Sequence, residues 1–74
     1  MDRLNAFRSR LAAALDARGR KADFARFLAN VPDGTPVQHP AVKVRTVQIA
    51  RFLSQGRGAN GEFVLAALDF LGRR

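Results

Sequence analysis

Apolar residues in the first quarter of the chain recur at spacings of three and four positions. They are Leu4, Phe7, Leu11 and Leu15. This spacing aligns side chains on one face of an α-helix, and the alanines between them favour helix formation. Gly19 then provides a residue type at which helices commonly end. The pattern predicts a first helix over residues 3–18.

A second apolar cluster follows after a short break. Its members are Phe24, Phe27 and Leu28. Their spacing predicts a shorter helix over residues 21–29. Ala25 lies within it and is small, so another helix can approach closely there. Arg20 and Lys21 stand at the start of this helix, where they either bind a phosphate group or remain solvated.

A third amphipathic pattern precedes Gly56. Its apolar positions are Val44, Ile49, Phe52 and Leu53. They predict a helix from about Arg45 to Gln55 with one buried face, ending at Gly56. The other side of this helix then carries polar and basic residues, which are Arg45, Thr46, Gln48 and Arg51.

The last helical pattern covers residues 62–71. Its apolar positions are Phe63, Val64, Ala67, Leu68 and Leu71. Asn60 is a residue type that caps helix starts, and Glu62 is favourable in a first turn. The predicted fold is therefore all-α and compact, with four helices in a single domain over residues 1–74.

Residues 30–43 interrupt the pattern between the second and third helices. This segment contains all three prolines and a Pro-Asp-Gly turn signal. Two interpretations are open. Either Val31 and Val37 pair as a small hairpin, or Pro40 is the first residue of a helical turn that leads into the third helix. So long a loop in so small a domain indicates function or flexibility.

The charge of the chain narrows the class of partner. The net charge is +7, which favours nucleic acid first and a membrane surface second. Eleven of the thirteen basic residues are arginine, whose forked guanidinium suits phosphate groups and guanine edges. A GC-rich genome also raises the Ala and Arg content, so composition alone does not establish that the partner is nucleic acid.

The rest of the composition argues against other classes. The chain has no Cys and one His, which excludes disulfides and disfavours a metal site. No nucleophile motif, phosphate loop or carboxylate pair appears, so we predict no enzyme, no cofactor and no small-molecule ligand. No apolar run approaches the ~20 residues of a membrane span, and the first residues lack the apolar core of a signal peptide. A cytoplasmic protein is expected.

Three of these stretches, in their order and spacing, resemble the λ-repressor/Cro-like (Xre-type) helix-turn-helix family. They are Phe24-Ala25-Arg26-Phe27-Leu28, Val44 followed by Ile49-Ala50-Arg51-Phe52-Leu53-Ser54, and Glu62-Phe63-Val64-Leu65-Ala66-Ala67-Leu68. The resemblance spans roughly residues 4–71. The chain departs from the family in three ways: residues 30–43 are inserted in the motif's turn, helix two lacks a Ser or Thr cap, and Gln55 is added before Gly56.

The resemblance implies that the exposed N-terminal half of helix three enters the major groove of DNA. The residues placed at the bases are Arg45, Thr46, Val47, Gln48 and Arg51. Arginine binds guanine, glutamine reads adenine, and the methyl groups of Thr46 and Val47 meet a thymine methyl. Val47 has an alternative role in the core, and Arg51 has one in an ion pair with Asp23.

The backbone of the DNA would be held by a second set of residues, which fix the register rather than read the sequence. They are Arg20, Lys21, Lys43, Ser54, Gln55 and Arg57. Gln38 and His39, in the inserted loop, are further candidates for contact with DNA. Whether Arg45 and Arg51 reach the bases depends on that loop.

The resulting hypothesis is a sequence-specific regulator that binds double-stranded DNA as a homodimer. A Cro-like or repressor-type protein of a phage or mobile element, acting by operator occlusion, fits the small size. Two alternatives stay open: a protein-interaction module on the same fold, antitoxin-like or an adaptor, and a non-specific nucleic-acid binder.

Overall fold

The computed structural model describes residues 3–58 and 60–72. This part of the chain contains four helices and no strand. The helices are α1 (Arg3–Ala14), α2 (Arg20–Ala29), α3 (Pro40–Gln55) and α4 (Gly61–Gly72). The prediction of an all-α, four-helix domain is confirmed. Within the same residues, no helix combines the length and the apolar character needed to cross a membrane.

The first helix is shorter than its apolar spacing predicts. α1 ends at Ala14 rather than at residue 18, and a series of turns follows. Leu15 nevertheless stays buried, and its amide still donates to the Leu11 carbonyl at 2.9 Å. Gly19 has a positive φ of 83° and stands directly before α2 as its N-cap. The glycine therefore turns the chain into the second helix instead of ending the first.

The core joins all four helices through their apolar faces. Its buried members are Leu11, Leu15, Phe24, Ala25, Val42, Ile49, Phe52, Phe63, Ala67 and Phe70. The burial of Ala25 agrees with its predicted place at a close helix approach. A domain of this size depends on such a core because it buries a modest share of its surface.

All six phenylalanines take part in one continuous series of ring contacts. The order is Phe7, Phe52, Phe63, Phe24, Phe70 and Phe27, with ring centroids 5.0–5.9 Å apart. Tilted and edge-on ring pairs stabilise by about 0.5–1.5 kcal/mol each beyond their buried area. The series runs from α1 to α3, α4 and α2, so it fixes the helices relative to one another.

The third helix begins earlier than predicted, at Pro40. Proline is favourable in a first turn, where its missing N–H removes no helical bond. His39 is the N-cap, and its Nδ1 accepts a hydrogen bond from the Ala41 amide at 3.2 Å. Of the two interpretations of the insertion, the hairpin of Val31 and Val37 is wrong, and the helical turn beginning at Pro40 is confirmed.

The early start changes which valine belongs to the core. Val42 is fully buried, whereas Val44 is 65% exposed, so the prediction that Val44 faces inward is wrong. The two residues lie about 200° apart around the helix axis. Val42 and Ile49, two full turns apart, define the buried face instead.

The loop between α2 and α3 folds into consecutive turns. The amides of Thr35 and His39 donate to the carbonyls of Pro32 and Pro36. Arg26 on α2 ties the loop down, because its Nε donates to the Thr35 carbonyl at 2.6 Å. Because α2 ends at Ala29 and α3 begins at Pro40, the segment outside the helices is residues 30–39. The hydrogen bonds that hold it are not indicated by the sequence pattern.

The predicted cap of the fourth helix is confirmed, but its predicted buried face is wrong at one position. The Asn60 side chain accepts from the Phe63 amide at 2.8 Å. Phe63, Ala67 and Phe70 are buried, while Leu68 is 47% exposed. The prediction that Leu68 faces the core is wrong, since Phe70 takes the inward position on the next turn.

Candidate nucleic-acid interface

The side of α3 that points away from the core carries both basic and apolar residues. We call it the α3 outer face; its exposed members are Lys43, Val44, Val47, Ala50, Arg51 and Ser54. At about 100° per residue, these positions fall opposite Val42, Ile49 and Phe52. Val44 and Val47 are the apolar pair on this face, and Val47 is 56% exposed. The alternative that places Val47 in the core is therefore wrong.

Arg51 is exposed near the middle of this face. The ion pair proposed from the sequence is not formed, because Asp23 pairs with Arg26 on its own helix at 3.2 Å. Within residues 3–58 and 60–72, the guanidinium of Arg51 has no hydrogen bond or ion pair. Its five donors are therefore available to an external acceptor.

Arg45 and Gln48 lie at the edge of α3 and are half-buried. The Arg45 Nη1 donates to the Gln48 Oε1 at 2.8 Å, and the Gln48 Nε2 donates to the Gly58 carbonyl at 2.8 Å. The amide of Gln48 is thus engaged at both ends and ties α3 to the segment before α4. Reading a base with either side chain requires that these bonds be exchanged.

Two hydroxyl groups on α3 bond back to the helix itself. Thr46 Oγ1 donates to the Val42 carbonyl, and Ser54 Oγ donates to the Ala50 carbonyl, each at 2.9 Å. Both residues are exposed. Contact through an acceptor oxygen, or through the Thr46 methyl group, leaves these bonds intact.

Arg20 and Lys21, the pair at the start of α2, are differently placed. The Arg20 guanidinium lies 4.7 Å from the centre of the Phe70 ring, a cation–π contact with α4. Lys21 is exposed. Gly19 provides no side-chain cap for α2, so this helix start receives no side-chain acceptor from its N-cap residue.

The remaining candidates lie at the two ends of α3. Gln55 and Arg57 are exposed at its C-terminal end, and Gln38 is exposed before its start. His39 is engaged as the N-cap of α3, so its first role is structural. Sequence reasoning missed Arg8, whose Nη1 lies 3.2 Å from where a Cβ on Gly56 would stand. A cation beside the C-terminal end of α3 is favourable for the helix dipole.

Acidic side chains gather on another part of the surface. A groove between α2, residues 30–33 and α4 is lined by Asp23, Asp33, Glu62 and Asp69, four of the six acidic residues of the chain. Arg20 and Arg45 line it as well. We call it the acidic groove. Its members are far apart in sequence, so only the folded chain brings them together.

Comparison with protein-family models, with curated proteins and with solved structures finds no match to this chain. The interface therefore rests on its own geometry and charge. Among the described residues, no group of three or more His, Cys, Asp or Glu side chains is placed to hold a metal ion.

Proposed function

We propose that this protein binds double-stranded DNA in a sequence-specific manner through the α3 outer face, and that it acts as a small transcriptional regulator. The observation that carries the proposal is the combination of Lys43, Val44, Val47 and Arg51 on one exposed side of a single helix. An α-helix fits the major groove, where base edges offer acceptors and thymine offers a methyl group.

The surroundings of α3 support this use. Its start is capped by His39 and its end by Gly56, which has a φ of 71°. The helix packs on α2 through the buried core and is tied to residue 58 by Gln48. A reading helix held at both ends presents its side chains in one orientation, which base recognition requires.

The positions of the residues revise their expected roles. Arg51 and Val47 remain the base-contacting candidates, and Val44 joins them because it is exposed. Lys43 also lies on the α3 outer face, so it becomes a candidate for contact with bases as well as with phosphates. Arg45 and Gln48 instead orient α3 through their internal hydrogen bonds.

Regulation would proceed by occupation of an operator. A single head of this size contacts few base pairs, so two copies on half-sites about one helical turn apart raise both affinity and specificity. Bound copies then exclude polymerase from the same DNA. The positive net charge speeds the encounter with DNA and makes the affinity depend on salt.

The proposal is tested by selection from a random DNA duplex library at physiological salt. We expect a defined site, with weak binding to scrambled duplex. Arg51→Ala should relax the preference at one base pair, whereas Arg57→Ala should weaken all duplexes alike and reduce the salt dependence. Arg10→Ala, which removes the same charge from the exposed surface of α1, is the matched control. If no sequence is enriched, specific regulation is wrong.

The acidic groove favours a second candidate function, that of a protein-interaction module. Exposed Leu65 lies among its acidic side chains, a combination suited to a protein surface rather than to DNA. This function would stand alone if no DNA binding appeared at low salt.

A further inference from the structure

The chain reverses its direction directly after α3, at residues 56–58. Gly56 and Gly58 have positive φ values of 71° and 88°, which glycine adopts more readily than other residues. The Gly56 amide donates to the Phe52 carbonyl at 2.8 Å and closes the helix. Gly58 is three residues past Gln55, yet its carbonyl accepts from Gln48 Nε2 at 2.8 Å. Since Gln48 stands about 10 Å before the end of α3, the chain turns back along the side of the helix.

Arg57 lies between these two glycines, at the reversal itself. It is exposed, and among residues 3–58 and 60–72 neither a hydrogen bond nor an ion pair holds its guanidinium. Gln48, which binds the next residue of the chain, is three positions before Arg51, so Gln48 and Arg51 are neighbours on the helix surface. The reversal therefore brings Arg57 to the side of α3 that borders Arg51, at the edge of the α3 outer face.

The side-chain amide of Gln48 is oriented by a second residue of α3. Arg45 Nη1 donates to Gln48 Oε1 at 2.8 Å, so the donor end of the amide, Nε2, faces the Gly58 carbonyl. Arg45 and Gln48 are both half-buried, and hydrogen bonds that are partly shielded from water are stronger than those in bulk solvent. The bond to Gly58 is thus the second of two linked bonds that begin at a half-buried arginine.

We propose that Gln48 is a positioning residue that acts through Arg57. By holding Gly58, it keeps the Arg57 guanidinium beside the α3 outer face, where Arg57 binds a phosphate group of the same duplex. This inference rests on the proposed function. Without the bond, two glycines give residues 56–58 great backbone freedom, and binding a phosphate would first require that the segment be ordered. With the bond in place, Arg57 binds without that cost.

The same bonds argue against base reading by Gln48. A forked contact with adenine uses both ends of the glutamine amide, and both ends are already engaged within the chain. Positioning uses these bonds as they stand. The two roles also predict different losses when Gln48 is replaced: a positioning residue affects all duplexes alike, because phosphate contacts carry no sequence information, whereas a base-reading residue affects the preference at one base pair.

A double-mutant cycle tests whether Gln48 acts through Arg57, with affinities for the selected and a random duplex measured at several salt concentrations. Gln48→Met keeps the length of the side chain and removes both hydrogen bonds. It should weaken both duplexes alike by about fivefold, which corresponds to the cost of ordering one residue. Arg57→Ala should weaken both by about tenfold and lower the salt slope by about one. The double variant should be no weaker than Arg57→Ala alone.

Gly58→Ala tests the same bond from the backbone side. A Cβ on Gly58 would meet Gln48 Cγ at 3.8 Å, an ordinary contact, but the φ of 88° strains any residue other than glycine. This variant should lose affinity as Gln48→Met does, and the two losses should not add. Gly61→Ala is the matched control, because Gly61 has no positive φ and a Cβ there meets nothing within 4 Å. Its affinity should equal that of the wild type, and circular dichroism spectra establish that all variants are folded.

Nitrogen-15 relaxation of the free protein examines the bond without DNA. The backbone order of Arg57 and Gly58 should fall in Gln48→Met while that of α3 is retained; unchanged order would overturn the proposal. Additive losses in the cycle, or a Gln48→Met loss confined to one base pair, would also overturn it, the latter in favour of base reading. If the wild type binds no duplex even at low salt, the proposed function fails and the phosphate contact with it, whereas the relaxation result still decides whether Gln48 holds Arg57.

Discussion

The α3 outer face and the exposed side of α4 are built alike and differ in the sign of their charged residues. We call the exposed side of α4, with Glu62, Leu65, Leu68 and Asp69, the α4 outer face. Each exposes two aliphatic side chains on successive turns and places charged residues at the ends of the pair. Neither pair is needed for the core, which already buries Val42 and Ile49 on α3 and Phe63 and Ala67 on α4.

The sign of the charge decides what each face can contact. The α3 outer face carries the basic residues Lys43 and Arg51, whereas the α4 outer face carries the acidic residues Glu62 and Asp69. An exposed apolar pair is therefore not sufficient to indicate a partner. Its charged neighbours select the class of molecule that can cover it.

The largest effect should be the loss of stability caused by replacing Phe63, the core residue through which α4 packs on α2 and α3. Phe63 on α4 contacts the rings of Phe24 and Phe52, with centroids 5.7 and 5.2 Å apart. Phe63→Ala should lower the free energy of unfolding by about 3–5 kcal/mol, measured by urea denaturation. Leu65→Ala, two residues further on the exposed side, should change it by less than about 0.5 kcal/mol. Equal effects of the two changes would show that α4 is packed differently.

The next effect separates the two faces by their binding to DNA. Arg51→Ala should weaken binding to the selected duplex by about 1–3 kcal/mol, because a forked contact with guanine is lost. Leu65→Ala should leave this affinity unchanged when the protein is dilute. Fluorescence anisotropy titrations provide both values. A loss of affinity for Leu65→Ala, with none for Arg51→Ala, would show that DNA contacts α4 rather than α3.

A smaller effect concerns the start of α3. His39→Ala removes the side-chain acceptor for the Ala41 amide and should lower the free energy of unfolding by about 1 kcal/mol. His39→Asn supplies another good N-cap acceptor and should retain most of the stability. If both variants were as stable as the wild type, the cap would not contribute to the position of α3.

The smallest effect examines the apolar part of the α3 outer face. Val47→Thr replaces one methyl group by a hydroxyl group of similar size and should weaken binding to the selected duplex by roughly 0.8 kcal/mol. Replacing the contacted thymine by uracil should weaken the wild type by a similar amount and Val47→Thr by less. Additive losses would show that Val47 does not face that thymine.

Local spacing predicted the helices well because each needs an apolar stripe. The predicted Asn60 cap, the helix end at Gly56 and the core position of Phe52 all follow from patterns within one helical element. The start of α3 did not follow, since Pro40 fits both a loop and a first helical turn. Counting the stripe from Val44 instead of Val42 then turned the wrong valine inward.

The features that govern the candidate site are mostly tertiary. The hydrogen bond from Gln48 to the Gly58 carbonyl joins residues ten positions apart. The hydrogen bond from Arg26 to the Thr35 carbonyl joins residues nine positions apart. The acidic groove brings together residues from Asp23 to Asp69. No periodicity connects such positions, so the hydrogen bond of Gln48, a base-contact candidate by the family resemblance, to the Gly58 carbonyl is visible only in the folded chain.

We propose that the α3 outer face reads DNA sequence, and competition between duplexes at physiological salt tests this proposal most directly. A labelled selected duplex, bound to the wild type, is displaced by unlabelled selected or random duplex. We predict that the random duplex is at least about 10³-fold weaker as a competitor, and that this ratio falls in Arg51→Ala but not in Arg10→Ala. Equal competition by the two duplexes would contradict the account.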